Sequence, residues 1–69
     1  MQLSERIEIN QAVLYGKPVI KGTRLSVQFI IGLMASGADF EEILGEYKGL
    51  EKEDILACLK FASESMKQL

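Results

Sequence analysis

One stretch limits what the rest of this chain can fold into: Gly16-Lys17-Pro18-Val19-Ile20-Lys21-Gly22-Thr23-Arg24-Leu25-Ser26. It holds the only proline, two of the six glycines and three of the eight basic residues. Pro18 fixes its own φ and biases Lys17 towards an extended conformation. Gly22 takes a positive φ at a tight turn without strain. Val19-Ile20 and Arg24-Leu25 flank that turn as two short extended arms, and Ser26 is a good N-cap for a following helix. The expectation is a β-turn or miniature hairpin that presents Lys17, Lys21 and Arg24 and launches the first helix.

On its N-terminal side, Arg6-Ile7-Glu8-Ile9-Asn10 alternates apolar and charged residues and ends in a turn former, a short strand signal. Residues 10–16 read as a single helical or 3₁₀ turn with Val13 and Leu14 tucked inwards. After Ser26 the period changes to that of a helix. Val27, Ile30, Ile31 and Met34 share one face, Leu25 and Ile30 are spaced as a hydrophobic staple, and Ser36-Gly37 ends the run. Asp39 with Glu42 makes a capping-box pair for a second, short helix whose inner face is Phe40, Ile43, Leu44 and Tyr47. Gly45 weakens that helix and Gly49 punctuates its end. A third helix starts near Glu51 or Lys52, with Leu50 and Ile55 as a staple and Glu51, Glu53 and Asp54 suited to a helix N-terminus. Ile55, Cys58, Leu59, Ala62 and Met66 line one of its faces, and Leu56 and Phe61 widen the apolar stripe on both sides.

The predicted fold is therefore mainly α: a short N-terminal β-arm and hairpin, then a three-helix bundle of helix-turn-helix-like shape. With 69 residues the expectation is one domain over 1–69, with the arm and hairpin in 1–25 and the bundle in 26–69. A core of this size is marginal, so a homodimer or a bound partner is expected to supply further burial. One cysteine excludes an internal disulfide and points to a reducing compartment. The first residues lack a signal-peptide core and no run is long enough to span a bilayer. The expectation is a cytoplasmic protein.

Charge is distributed unevenly. Residues 1–25 carry Arg6, Lys17, Lys21 and Arg24 against Glu5 and Glu8, a net of +2, whereas residues 26–69 set four lysines against eight acids, a net of −4. Only the N-terminal third attracts phosphate.

The chain reads as non-enzymatic, with no catalytic residue, metal site or cofactor expected. It has no histidine, hence no imidazole base and no common zinc set. Cys58 sits on an apolar stripe with no histidine to activate it and reads as a small buried hydrophobe. The acid pairs Glu41-Glu42 and Glu53-Asp54 stand at helix starts, where capping and a solvated face explain them. Gly16-Lys17 is no phosphate loop, because Pro18 stands where Ser or Thr should follow the lysine.

Two sets of residues remain as candidate sites. Lys17, Lys21 and Arg24 are either a solvated hairpin tip that guards an edge, or a contact for an anionic partner such as DNA phosphate or an acidic protein surface. Leu56, Ala57 and Phe61, on the flanks of the third helix, are either core packing or a dimer or partner seam. The third helix, placed where a helix-turn-helix protein reads bases, opens with Glu51-Lys52-Glu53-Asp54, whose net negative charge opposes direct base reading.

Ile7-Glu8-Ile9-Asn10, the stretch from Gly16 to Val27, Ala35-Ser36-Gly37, Glu41-Glu42-Ile43-Leu44 through Tyr47, and Leu50 with Glu53-Asp54-Ile55 form a pattern. In this order and spacing the chain closely resembles the small prokaryotic family called domain of unknown function 433, over about residues 5 to 65. The resemblance implies a homeodomain-like three-helix fold behind a β-arm. It also implies an antitoxin of a type II toxin–antitoxin pair, similar to VapB-type antitoxins, whose partner looks like a PIN-like ribonuclease. Gln11 occupies a position often held by proline, and Glu51-Lys52 replace the usual Thr-Pro. The function expected is a binding protein that masks such a toxin and contacts operator DNA through the basic hairpin for autoregulation. The alternative is a small homodimeric protein-interaction module with no nucleic-acid role.

Overall fold

A computed structural model describes residues 4–67 of the chain. The elements run β1 (Ile7–Ile9), a 3₁₀ turn (Leu14–Gly16), β2 (Pro18–Ile20), α1 (Val27–Ala35), α2 (Phe40–Glu46) and α3 (Lys52–Ser65). The mainly helical fold with a two-stranded N-terminal arm is the one the sequence predicts.

β1 and β2 pair antiparallel, with Ile7 opposite Ile20, Glu8 opposite Val19 and Ile9 opposite Pro18. Proline is tolerated as the first residue of a strand, which is where Pro18 stands. The ladder continues one step further, because the Lys21 N–H donates to the Arg6 carbonyl at 2.8 Å. β2 then folds back on the chain that follows it. Gly22 has φ +80° and stands third in a turn closed by the Thr23 N–H on the Ile20 carbonyl at 3.0 Å. The Ile20 N–H donates to the Leu25 carbonyl at 2.9 Å, and Val19 bridges Ser26. Thr23 locks the turn from its side chain: its hydroxyl donates to the Ile20 carbonyl and accepts from the Leu25 N–H. The miniature hairpin is thus present, with β1 added to its other edge.

The helix boundaries follow local chemistry. The Ser26 hydroxyl accepts from the Phe29 N–H at 2.9 Å and caps α1. At the other end Gly37, at φ +106°, closes a Schellman motif: its N–H reaches the Met34 carbonyl and the Ala38 N–H reaches the Leu33 carbonyl. Asp39 and Glu42 form the expected reciprocal capping box on α2. That helix stops at Glu46, ahead of Gly49, in a turn closed by the Leu50 N–H on the Tyr47 carbonyl.

The arm is part of the core. Ile7 and Ile20 from the strands join Val27 and Ile30 of α1, Ile43 of α2, Leu50, and Ile55 and Cys58 of α3 in one buried cluster. Each helix therefore buries one stripe against the same few isoleucines. Leu59 and Met66 do not follow the rest of their stripe inwards, being 37% and 57% exposed. Met66 lies beyond the last helical residue, so the helical spacing no longer aims it at the core. Among the described residues no helix is long and apolar enough to cross a membrane.

Two residues pay a conformational cost. Leu14 and Tyr15 adopt φ +49° and +56° without being glycine, a region that costs on the order of 1–3 kcal/mol per residue. The expected 3₁₀ turn exists, and Val13 and Leu14 are half-buried. Tyr15, however, is thrown outwards and left 97% exposed.

Candidate binding surfaces on a basic arm and an acidic helical face

The three basic residues of the central stretch are all exposed, but they do not form one compact tip. Lys17 precedes β2, while Lys21 and Arg24 lie at its far end in the turn. Four residues of extended chain separate Lys17 from Lys21 by roughly 13 Å. Lys17 lies on the rim of an apolar groove, with Pro18, Val27, Ile31, Phe61 and Met66. Lys21 instead borders a shallow depression shared with Glu5, Arg6 and Asp54. The arm therefore presents a line of cations along β2.

Arg6, counted in the sequence only as part of the arm's positive charge, turns inwards on the third helix. Its Nη1 donates to Glu51 Oε1 and to Asp54 Oδ1, both at 2.9 Å. The hydrogen bond to Asp54 and then that to Glu51 raise the guanidinium pKa above its ordinary value. With Arg6 neutralised in this way, Lys17, Lys21 and Arg24 against Glu5 and Glu8 leave the arm one net positive charge.

Asp54 is a correction to the reading of Glu53-Asp54 as a solvated pair. Glu53 is exposed, but Asp54 is 8% exposed. Its Oδ2 accepts from the Glu51 N–H at 2.9 Å while Oδ1 accepts from Arg6. One carboxylate thus closes the N-terminus of α3 and ties it to the β-arm. Glu41, Glu42 and Glu46 on α2 and Glu53 at the start of α3 are exposed, and the exposed Glu51 is engaged by Arg6. Lys52, whose Nζ stands 6.0 Å from the Phe40 ring centroid, is held against α2.

The residues marked as a seam part company. Ala57 and Phe61 are half-buried and share a depression with Ser4, Glu5, Arg6, Lys60 and Glu64. Leu56 is 46% exposed and lies roughly 140° round the helix from Phe61 at about 100° per residue. Leu56 and Phe61 are therefore not parts of one face, whereas Leu56 and Leu59 are near neighbours on the outer one.

Cys58 is fully buried. Its thiol pKa is pushed up to about 11 from 9.0, first by burial and then by the charge of Asp54. It remains a protonated thiol at neutral pH, so thiol reagents should label it only after denaturation. The shift also sets a sign for stability at high pH. Below pH 9 the thiol is protonated in both folded and unfolded chains. As the pH climbs from 9 towards the folded pKa of about 11, only the unfolded chain ionises, and up to about 2–3 kcal/mol of stability is lost. Denaturant melts of the parent and Cys58→Ala at pH 8 and pH 11 should show a larger fall in the parent, the excess being the contribution of the thiol, since lysines and tyrosines titrate in both. Equal pH dependence in the two would contradict the burial of the thiol.

Among the described residues no group of three His, Cys, Asp or Glu side chains could hold a metal ion.

Residues 7–62 match the family described as Protein of unknown function (DUF433). The chain is a DUF433 protein. It is similar to the crystal structure of a DUF433 member protein from Anabaena variabilis ATCC 29413, at 30% sequence identity and a TM-score of 0.86. The likeness covers 96% of this DUF433 chain and 65% of that one, so the chain spans less than two thirds of its solved relative. No curated protein matches it.

Proposed function

We propose that this DUF433 protein is a non-enzymatic binding protein, the antitoxin of a type II toxin–antitoxin pair, which masks a PIN-like ribonuclease. The observation that carries the reading is the excess of exposed acids on α2 and at the start of α3. The exposed acids of α2 and the start of α3 form a surface complementary to the basic groove of an RNA-cleaving enzyme. The exposed Lys17, Lys21 and Arg24 of the arm and hairpin are suited to phosphate, and add DNA-backbone contacts for autoregulation. These contacts position the protein without reading bases, in keeping with the acidic start of α3. The protein acts in the cytoplasm, as a homodimer.

The masking reading is tested by co-expression with the product of the neighbouring reading frame. Co-purification of a small nuclease, with loss of its RNA cleavage, is the expected result. Failure of the two products to associate at low salt would count against masking.

The DNA reading has its own test. The triple variant Lys17→Ala, Lys21→Ala, Arg24→Ala should keep the parent's thermal melt, because all three side chains are exposed. It should lose the gel shift on the protein's own upstream DNA. In the parent, each phosphate contact made by these residues should contribute about 0.9 to the slope of log affinity on log salt. No shift by the parent at low salt, with or without the nuclease, removes DNA from the function. That outcome would leave the reading as a homodimeric protein-interaction module.

A further inference from the structure

Tyr15 has no part in the charge-based reading. The turn that carries it is braced by hydrogen bonds. The Val13 N–H donates to the Asn10 carbonyl at 2.8 Å, the Gly16 N–H to the Val13 carbonyl at 3.1 Å and the Lys17 N–H to the Leu14 carbonyl at 3.2 Å. The Asn10 side chain also accepts from the Ala12 N–H. Within this turn Leu14, Tyr15 and Gly16 have positive φ in succession. The strained backbone gives the aromatic ring no burial, leaving Tyr15 97% exposed. Strain kept without local gain is accounted for if the ring meets something outside the chain.

The surroundings of the ring select the kind of partner. An anchor at a protein interface sits within a patch of contacts that exclude water. Tyr15 instead stands outside the lining of the apolar groove between β2, α1 and α3. In its own turn Val13 and Leu14 are half-buried, while Asn10, Gln11 and Ala12 are exposed. Beyond it come the exposed cations Lys17, Lys21 and Arg24. Lys17, two residues on, lies no more than about 7 Å from Tyr15 along the backbone. A rigidly held, solvent-facing ring beside a run of cations is how proteins take up single strands, the cations following the phosphates while the ring stacks on a base.

We infer that Tyr15 stacks on an unpaired base of a single-stranded nucleic acid whose backbone lies along Lys17, Lys21 and Arg24. In a duplex the bases already stack on one another, so the ring could reach one only by unstacking a step. A single strand offers its bases free. The braced turn holds the ring in place before binding, which reduces the ordering cost. The inference rests on the same cations as the DNA reading above, but not on the antitoxin reading, and it adds a ligand that the duplex contacts alone do not predict.

Fluorescence anisotropy of the full chain tests it, with short labelled oligodeoxythymidylate and oligouridylate strands and with the DNA strand annealed to its complement. The parent should bind a single strand at low salt, with a slope of log affinity on log salt of about 0.7 per phosphate contact. Tyr15→Ala should weaken single-strand binding by about 5- to 150-fold and leave duplex binding unchanged. Tyr15→Phe, which keeps the π-face, should bind as the parent does. Both variants should keep the parent's thermal melt, because the side chain they alter is exposed. A parent that binds neither single strand overturns the inference, and a gel shift on duplex DNA would then leave the autoregulation reading standing. Conversely, single-strand binding without duplex binding supports the inference and removes autoregulation. Tyr15→Ala binding single strands as the parent does, or losing single strand and duplex alike, overturns stacking. So does a Tyr15→Ala variant that keeps its single-strand affinity but no longer co-purifies with the neighbouring gene product, which would make the ring a protein anchor.

Discussion

Ile30→Ala should bring the protein close to its unfolding midpoint at ordinary temperatures. Ile30 is fully buried on α1 and belongs to the cluster shared by both strands and all three helices. Cutting a buried isoleucine to alanine costs about 2–5 kcal/mol, from lost transfer energy and from the cavity left behind. At about 0.05–0.15 kcal/mol per residue, a chain of 69 residues has a stability of the same order. The small core gives little room for redistribution, because few other side chains are fully buried. Denaturant melts followed by circular dichroism measure the loss directly. As a control on the same footing, Leu56→Ala should stay within about 0.5 kcal/mol of the parent, because its side chain is half exposed. If Ile30→Ala melted like Leu56→Ala, the packing of α1 on the arm would be wrong.

Asp54→Ala should produce the second largest loss, and for a different reason. It removes the side chain that accepts the Glu51 N–H at the start of α3, worth about 1 kcal/mol as a cap. It also strips Arg6 of its less exposed partner, which loosens the arm from the helix. The two parts can be separated. Asp54→Asn keeps an acceptor for the cap but removes the charge, so it should retain more stability than alanine, and the remaining loss should shrink with added salt. Arg6→Ala should affect the arm alone and leave the cap intact. Hydrogen exchange at Lys21, whose N–H is bonded to the Arg6 carbonyl, reports on the arm. Protection at Lys21 that was unchanged in Asp54→Ala would show that the ion pair does not hold it.

The local devices were open to reading because each is decided by neighbours in the chain. The Ser26 cap, the Asp39–Glu42 box, the Gly37 terminator and the Gly22 turn all depend on residues within a few positions, where residue type sets backbone preference. The helical faces were readable for the same reason, since period alone selects Val27, Ile30, Ile43, Ile55 and Cys58. The misplaced residues are those at the margins of that logic. Leu59 fits the period yet stands 37% exposed partway along α3, and Met66 lies beyond the last helical residue. Leu56 and Phe61 widen the stripe on both sides, as their spacing says, but only a helix seated against its neighbours shows that Phe61 is half-buried and Leu56 exposed. Tyr15 had no local signal, because a left-handed φ at a non-glycine residue is imposed by its surroundings.

Gly16 to Ser26 illustrates the division most clearly. Its turn, its extended arms and its helix cap follow from proline, glycine and serine chemistry, and so does the presence of three exposed cations. Their arrangement does not. Pairing of β1 with β2 draws Lys17 to an apolar groove and sets Lys21 beside Glu5, Arg6 and Asp54. The contact between Arg6 and Asp54, 48 positions apart, turns a charge credited to a basic arm into a clasp between arm and helix. Short-range preferences reach only as far as the backbone's local geometry. Which charges stay available for a partner is settled by long-range packing, where the cost of leaving a carboxylate buried without a partner selects the cation that meets it.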